Sequence, residues 1–175
     1  TLYRIRDPYV SFWHRFVAPI VRRGGSWLAS PEELYRARVA PRLDDAMGPV
    51  FEEVCRLALP RLGRLPFRPV EVGEWWGSDS EDQIDVVALG AEGEVLVGEV
   101  KWGHVDRHDV ARLRRRALVL ERELGRPVTT HTALFSGRGI ADADTREAVE
   151  REDVLHFSVD EIVGDASVAD GSVTG

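Results

Sequence analysis

The chain has 175 residues, 43% of them apolar and 30% charged, the balance of a globular protein able to bury a core without staples. Against 23 basic residues stand 30 acidic ones, a net charge of −7 that argues against non-specific coating of nucleic acid. The single cysteine, Cys55, excludes a disulfide framework and a multi-cysteine zinc site, and no apolar run is long enough to span a membrane. A reducing, cytoplasmic setting is therefore expected. The basic set is 22 arginines and one lysine, Lys101 in Glu99-Val100-Lys101, so the Gly-Lys-Ser/Thr of a phosphate-binding loop is absent. The sequence opens at Thr1 without a signal-peptide pattern and reads as a piece of something longer.

Residues 8–23 carry Tyr9, Phe12, Trp13, Phe16, Val17 and Ile20 at helical spacing after Asp7-Pro8, which predicts a helix with an aromatic stripe. A loop is expected around Gly24-Gly25, then a short helix capped by Ser30-Pro31-Glu32-Glu33. Together, residues 1–44 read as a helical arm. A further helix is predicted from Ala46 to Leu59, with Met47, Phe51, Val54, Cys55 and Ala58 on one face. The period then changes to two. Strands are predicted over 70–76, 83–89 and 94–102, the last two joined by the turn Gly90-Ala91-Glu92-Gly93 into a hairpin. A long arginine-rich helix follows over 106–124, closed by Gly125 and Pro127, then a strand over 128–135. A helix over 143–150 and a short strand over 154–159 complete a domain of residues 45–164, and residues 165–175 read as a disordered polar tail. The order helix, strand, strand, strand, helix, strand implies an α/β fold with a mixed sheet flanked by helices.

The chemistry lies in the hairpin. Glu99 and Lys101 are two apart on a strand and share a face, and a turn centred on Glu92 sets Asp85 across from Glu99 or diagonal to it. Val87, Leu89, Val95 and Val97 lie on that same face, so the charges extend an apolar surface that a helix should cover. Two neighbouring carboxylates repel unless a cation sits between them, and oxygen ligands so spaced suit Mg²⁺ or Mn²⁺. A lysine beside them can hold an attacking water or neutralise a phosphate. Such parts suit metal-assisted phosphodiester hydrolysis. The bland reading, an exposed ion pair on an edge strand, is set aside because of the apolar surroundings and the unique lysine.

These residues resemble the PD-(D/E)XK nuclease superfamily, with Asp85 matching the motif aspartate, Glu99 the second acid and Lys101 the lysine. Ile84 stands where the motif has proline. More narrowly, the segments 5–17, 47–56, 72–89 and 97–103 resemble the C-terminal domain of unknown function attached to archaeal-type P-loop ATPases. The resemblance implies a restriction-endonuclease-like core, Mg²⁺ or Mn²⁺ held by Asp85, Glu99 and the Val100 carbonyl, and a glutamate from the first core helix. Glu52, at the edge of the apolar stripe, is preferred to Glu53 for that place. It also implies a P-loop ATPase, attached or recruited, as partner.

Between residues 101 and 126, eight basic residues face four acidic ones, and Arg112, Arg115 and Arg116 are candidate contacts to DNA phosphates. Arg64 and Arg68 are weaker ones. His104 and His108 have a metal-pair spacing without further ligands, Asp79, Glu81 and Asp82 form an acidic loop, and Trp75, Trp76 and Trp102 read as core or interface rather than as base-stacking platforms. The expected function is metal-dependent hydrolysis of DNA, or of RNA, by a nuclease-fold domain working with an ATPase. The rival is an inactive nuclease-fold module for DNA binding or regulatory docking, its aromatic arm at 9–20 as contact. Whether the protein is a monomer or a homo-oligomer stays open.

Overall fold

The computed structural model describes residues 7–22, 29–77 and 82–167. The chain divides into two units, residues 1–50 and 51–175. In the first, Asp7 caps the helix start by accepting the Val10 N–H at 2.9 Å, and Pro8 fits the first turn, where no N–H is needed. Helix α1 (Pro8–Phe12) runs through a π turn (Trp13–Val17) into α2 (Ala18–Arg22). Ser30 and Glu33 form a capping box that starts α3 (Pro31–Leu34). A second π turn (Tyr35–Val39) then leads directly into α4 (Ala40–Ala58). Both π turns are followed by Ala-Pro, at 18–19 and 40–41. A proline ring collides with the carbonyl four residues back, and the widened turn, closed by the alanine N–H on the fifth carbonyl back, makes room for it.

This continuity corrects the expectation of a short helix, capped by Ser30-Pro31-Glu32-Glu33, that is separate from another starting at Ala46. The π turn absorbs Pro41, and Pro49 sits inside α4. Residues 79 and 81 of the acidic loop, the Gly24-Gly25 loop and the tail beyond Ser167 lie outside the described residues.

In the second unit, a 3-10 turn (Leu59–Arg61) follows α4. Strands β1 (Glu71–Trp76), β2 (Gln83–Leu89), β3 (Glu94–Lys101), β4 (Thr129–Ser136) and β5 (Leu155–Ser158) form one sheet in the order β1-β2-β3-β4-β5. The first three are antiparallel, and β3, β4 and β5 are parallel, so the connection from β3 to β4 must cross over through α5 (Arg107–Leu124). Helix α6 (Ala143–Arg151) makes the next crossover. Helix α7 (Val159–Ser167), which the sequence reading left out, follows β5 directly and takes up residues 165–167 of the expected tail. The mixed sheet flanked by helices is thus present, with every predicted strand.

Each sheet face buries its own core. On one, Phe51, Cys55 and Ala58 of α4 pack with Leu59, Leu62, Val86, Ala88, Leu96, Phe135, Phe157 and Ile162. On the other, Val110, Leu113, Ala117 and Leu120 of α5 pack on Val95, Val97 and Leu134. Phe135 and Phe157 stack at 5.3 Å between centroids, and Gly98 leaves room for them: a Cβ there would lie 2.8 Å from Phe135 and 3.0 Å from Val86. Gly98→Ala is therefore expected to cost about 1–3 kcal/mol by overpacking. Gly73→Ala, where a Cβ meets nothing within 4 Å, should stay within about 0.5 kcal/mol of wild type, both read from urea unfolding.

Candidate functional site

The hairpin register is the one expected, with Val86↔Gly98, Val87↔Val97, Ala88↔Leu96 and Leu89↔Val95 paired. The paired register ends at Val86↔Gly98, one step short of Asp85 and Glu99, and a side chain takes over from the ladder: Asp85 Oδ2 accepts the Val100 N–H at 3.0 Å. On its other side, β2 carries a bulge. Between Gly73 and Trp75 of β1, the partner advances from Val87 to Ile84, so β2 spends one extra residue at Asp85-Val86. The bulge puts Ile84 in the α5-side core with Val87 and Leu89, whereas Val86 and Ala88 pack on the other face. Asp85 sits at this irregularity.

Glu99 and Lys101 share the α5 face, and α5 meets both. Glu99 is only 5% exposed; its Oε1 accepts Arg112 Nε at 3.0 Å and Nη2 at 2.7 Å, and its Oε2 accepts Arg116 Nη1. Lys101 Nζ donates to Asp109 Oδ2 at 2.6 Å and lies 3.6 Å from Asp106. Arg112 Nη2 also reaches Asp109 Oδ1 at 2.5 Å. The link from Glu99 to Lys101 therefore runs through Arg112 and Asp109. Asp109 is 1% exposed because it is the third residue of α5, closing a capping box with Asp106 while holding the lysine.

Helix α4 meets the site from another direction. Arg56 Nη1 donates to the Asp85 carbonyl at 2.7 Å and pairs with Glu53 at 2.9 Å. Glu53 is thus the structural partner, and Glu52 is the glutamate whose charge acts on Asp85. Arg56, Asp106 and Asp109 were missed in the sequence; the Asp-x-x-Asp spacing ahead of α5 was the available signal for the last two.

Burial raises the Asp85 carboxyl above its usual range and Glu52 pushes it further, against the Val100 hydrogen bond and the charges of Arg116 and Arg112. Burial also raises Glu99, with Asp85 adding to it and the two arginines pulling back. For Arg112, burial works against the charge, but the bond to Glu99 and the charges of Glu99 and Asp109 outweigh it and hold the guanidinium protonated. Among the described residues no three His, Cys, Asp or Glu side chains are gathered as a metal cluster. The donor chemistry of Asp85 and Glu99 nevertheless suits a hard divalent cation, and at Glu99 the guanidiniums are the cations in place.

The remaining candidates sort cleanly. Arg115, 60% exposed in its side chain, grips buried Asp82 at 2.5 and 3.2 Å, so Arg112, Arg115 and Arg116 all hold carboxylates of the chain itself. Arg64 pairs with Glu161 and lies over the Phe157 ring, while Arg68 is exposed. His104 is exposed ahead of α5 and His108 lies in its first turn. Trp75 and Trp102 pack on the two cores, whereas Trp76 is half exposed. Cys55 is fully buried, and burial pushes its thiol far up, which makes it a core residue rather than a nucleophile.

A carboxyl raised by folding destabilises the native state once pH climbs through its folded-state value, and the penalty is absent below the unfolded one. Asp85→Asn, whose amide oxygen can still accept the Val100 N–H, is therefore expected to raise the melting temperature at pH 7. The gain over wild type should shrink as pH falls through the ordinary aspartate range, measured by thermal melts across pH.

Among solved structures, the chain is similar to a repair endonuclease from Pyrococcus abyssi, with 18% identity and a TM-score of 0.47 over 63% of this chain and 46% of that one. It is also similar to EndoMS in apo form (16% identity, TM-score 0.48, 64% and 45% covered) and in a complex with double-stranded DNA (15%, 0.44, 61% and 41%). The chain thus spans under half the length of these proteins. No curated protein matches it. A family model does: residues 13–113 match DUF234, described as archaea bacterial proteins of unknown function, and the chain belongs to that family.

Proposed function

We propose that residues 45–164 act as a nuclease-fold domain that hydrolyses phosphodiesters of DNA with a divalent cation. The observation that carries this reading is the β2–β3 hairpin, which brings Asp85 and Glu99 to adjacent positions beside the Val100 amide, with Lys101 next on the Glu99 face. Glu52 adds a third carboxylate whose charge reaches Asp85. Mg²⁺ or Mn²⁺ would be held by Asp85, Glu99 and the Val100 carbonyl, with Glu52 directly or through water, and would supply Lewis acidity at the scissile phosphate. The Lys101 ammonium, steadied by Asp109, orients the attacking water and offsets the charge that builds on the phosphate oxygens. Water's oxygen bonds to phosphorus, one P–O ester bond breaks, and a proton passes to the leaving oxygen. Of Arg112, Arg115 and Arg116, the first two keep exposed surface with which to reach a DNA phosphate, whereas Arg116 is too deeply buried to do so without moving. Within this reading, residues 1–44 form the arm toward an attached or recruited ATPase.

One observation favours a second reading, an inactive module that binds DNA or docks on the ATPase: Glu99 and Lys101 are both engaged by α5 side chains. Cleavage separates the two. With Mg²⁺ or Mn²⁺, the wild-type chain should nick supercoiled plasmid or short duplexes, and Lys101→Ala or Glu99→Gln should lower the rate by about 10²-fold or more, the loss typical of a missing positioned acid–base group. Full cleavage in either variant would place the activity elsewhere, and no cleavage by wild type on any DNA or RNA form would favour the module.

A further inference from the structure

The cations at Glu99 belong to the chain. A carboxylate offers about four lone-pair sites. Three N–H groups already point at Glu99, two from Arg112 and one from Arg116. The two arginines are not equivalent. Arg116 is 16% exposed in its side chain, and its Nε is buried without a hydrogen-bond partner. That leaves a polar atom unsatisfied, a cost the residue bears in order to stand beside Glu99. Arg112 is 39% exposed and is already bound to a second buried carboxylate, Asp109, through the same Nη2 that touches Glu99.

From this geometry we infer that Arg112 and Arg116 set the divalent-ion affinity of the site, Arg112 being the exchangeable member of the pair. The inference rests on the reading of Asp85 and Glu99 as a cation site. To reach Glu99, a divalent ion must take at least one carboxylate oxygen from a guanidinium. Arg116 cannot leave without carrying a buried positive charge away from its counter-ion. Arg112 can: it retains Asp109 when it releases Glu99, and its exposed side reaches solvent. Because Asp109 also holds Lys101 Nζ at 2.6 Å, an ion arriving at Glu99 and the lysine that faces the substrate are joined through one carboxylate. Arg112 is in this sense a residue that determines which cation Glu99 keeps, apart from any contact it makes with DNA.

The test is Mn²⁺ binding to the full chain, followed by the loss of the free-ion EPR signal, with circular dichroism and melting curves confirming that each variant is folded. Arg112→Met and Arg112→Gln should each bind Mn²⁺ about tenfold more tightly than wild type, since a full positive charge has left the neighbourhood of the ion. The gain should vanish when Glu99→Gln is added. Arg116→Met should also bind more tightly, and should it fail to fold, the two Arg112 variants decide the matter. Wild type binding Mn²⁺ in a Glu99-dependent way, with no gain on removing Arg112, would overturn the inference while leaving the cation-site reading intact. No binding in any folded variant, the Arg112 ones included, would overturn both.

Discussion

The structure turns on a buried glutamate. Glu99 occupies a position on β3 that in an ordinary sheet would be another valine packed under α5, in line with Val95 and Val97. A carboxylate there is costly unless its charge is matched, and α5 supplies the match with Arg112 and Arg116. The consequence reaches beyond the pair. Two arginines one turn apart on the inner flank of α5 require the start of that helix to be held at a set height over β3. The Asp106/Asp109 capping box, tied to Lys101, does this. Removing one partner of such a network leaves an uncompensated buried charge, so its members act together.

The second acid is placed by a different device. Asp85 does not extend the ladder with Glu99; it replaces a ladder bond with its own side chain, accepting the Val100 N–H, while α4 takes its carbonyl through Arg56. The bulge in β2 is what frees it, shifting Ile84 onto the α5 face so that the residue after it stands apart from both cores. Helix packing on each side of the sheet thus converges on one end of one hairpin: α5 grips Glu99 and Lys101, and α4 brings Glu52 and Arg56 to Asp85.

Much of this was readable in the sequence because it rests on local rules. The Gly90–Gly93 turn set the hairpin register, and strand alternation put Glu99 with Lys101 under an apolar cover. The preference for Glu52 over Glu53 followed from helical geometry; in the fold Glu53 pairs with Arg56, and the Glu52 charge acts on Asp85. What escaped was non-local or rare. The helix start was set at Ala46 instead of Ala40 because a π turn, which accommodates a proline such as Pro41, has no signature of its own. The basic residues of α5 were read as a phosphate-facing patch because charge counts do not tell which way an arginine turns. Glu99 and Asp82 engage three of them, Arg116 deeply buried and Arg112 and Arg115 still partly open to solvent. Asp109 entered only as one of four acidic residues between 101 and 126, and the fold shows it holding Lys101 and Arg112 at once.

The most direct measurement is a crystal of this chain soaked in Mn²⁺ and recorded at the manganese absorption edge. An anomalous peak beside Asp85 and Glu99, with the Arg112 guanidinium turned from Glu99 toward Asp109, is the predicted result. Well-ordered Asp85 and Glu99 with no peak between them at saturating Mn²⁺, and both arginines still on Glu99, would contradict the reading of this hairpin as a cation site.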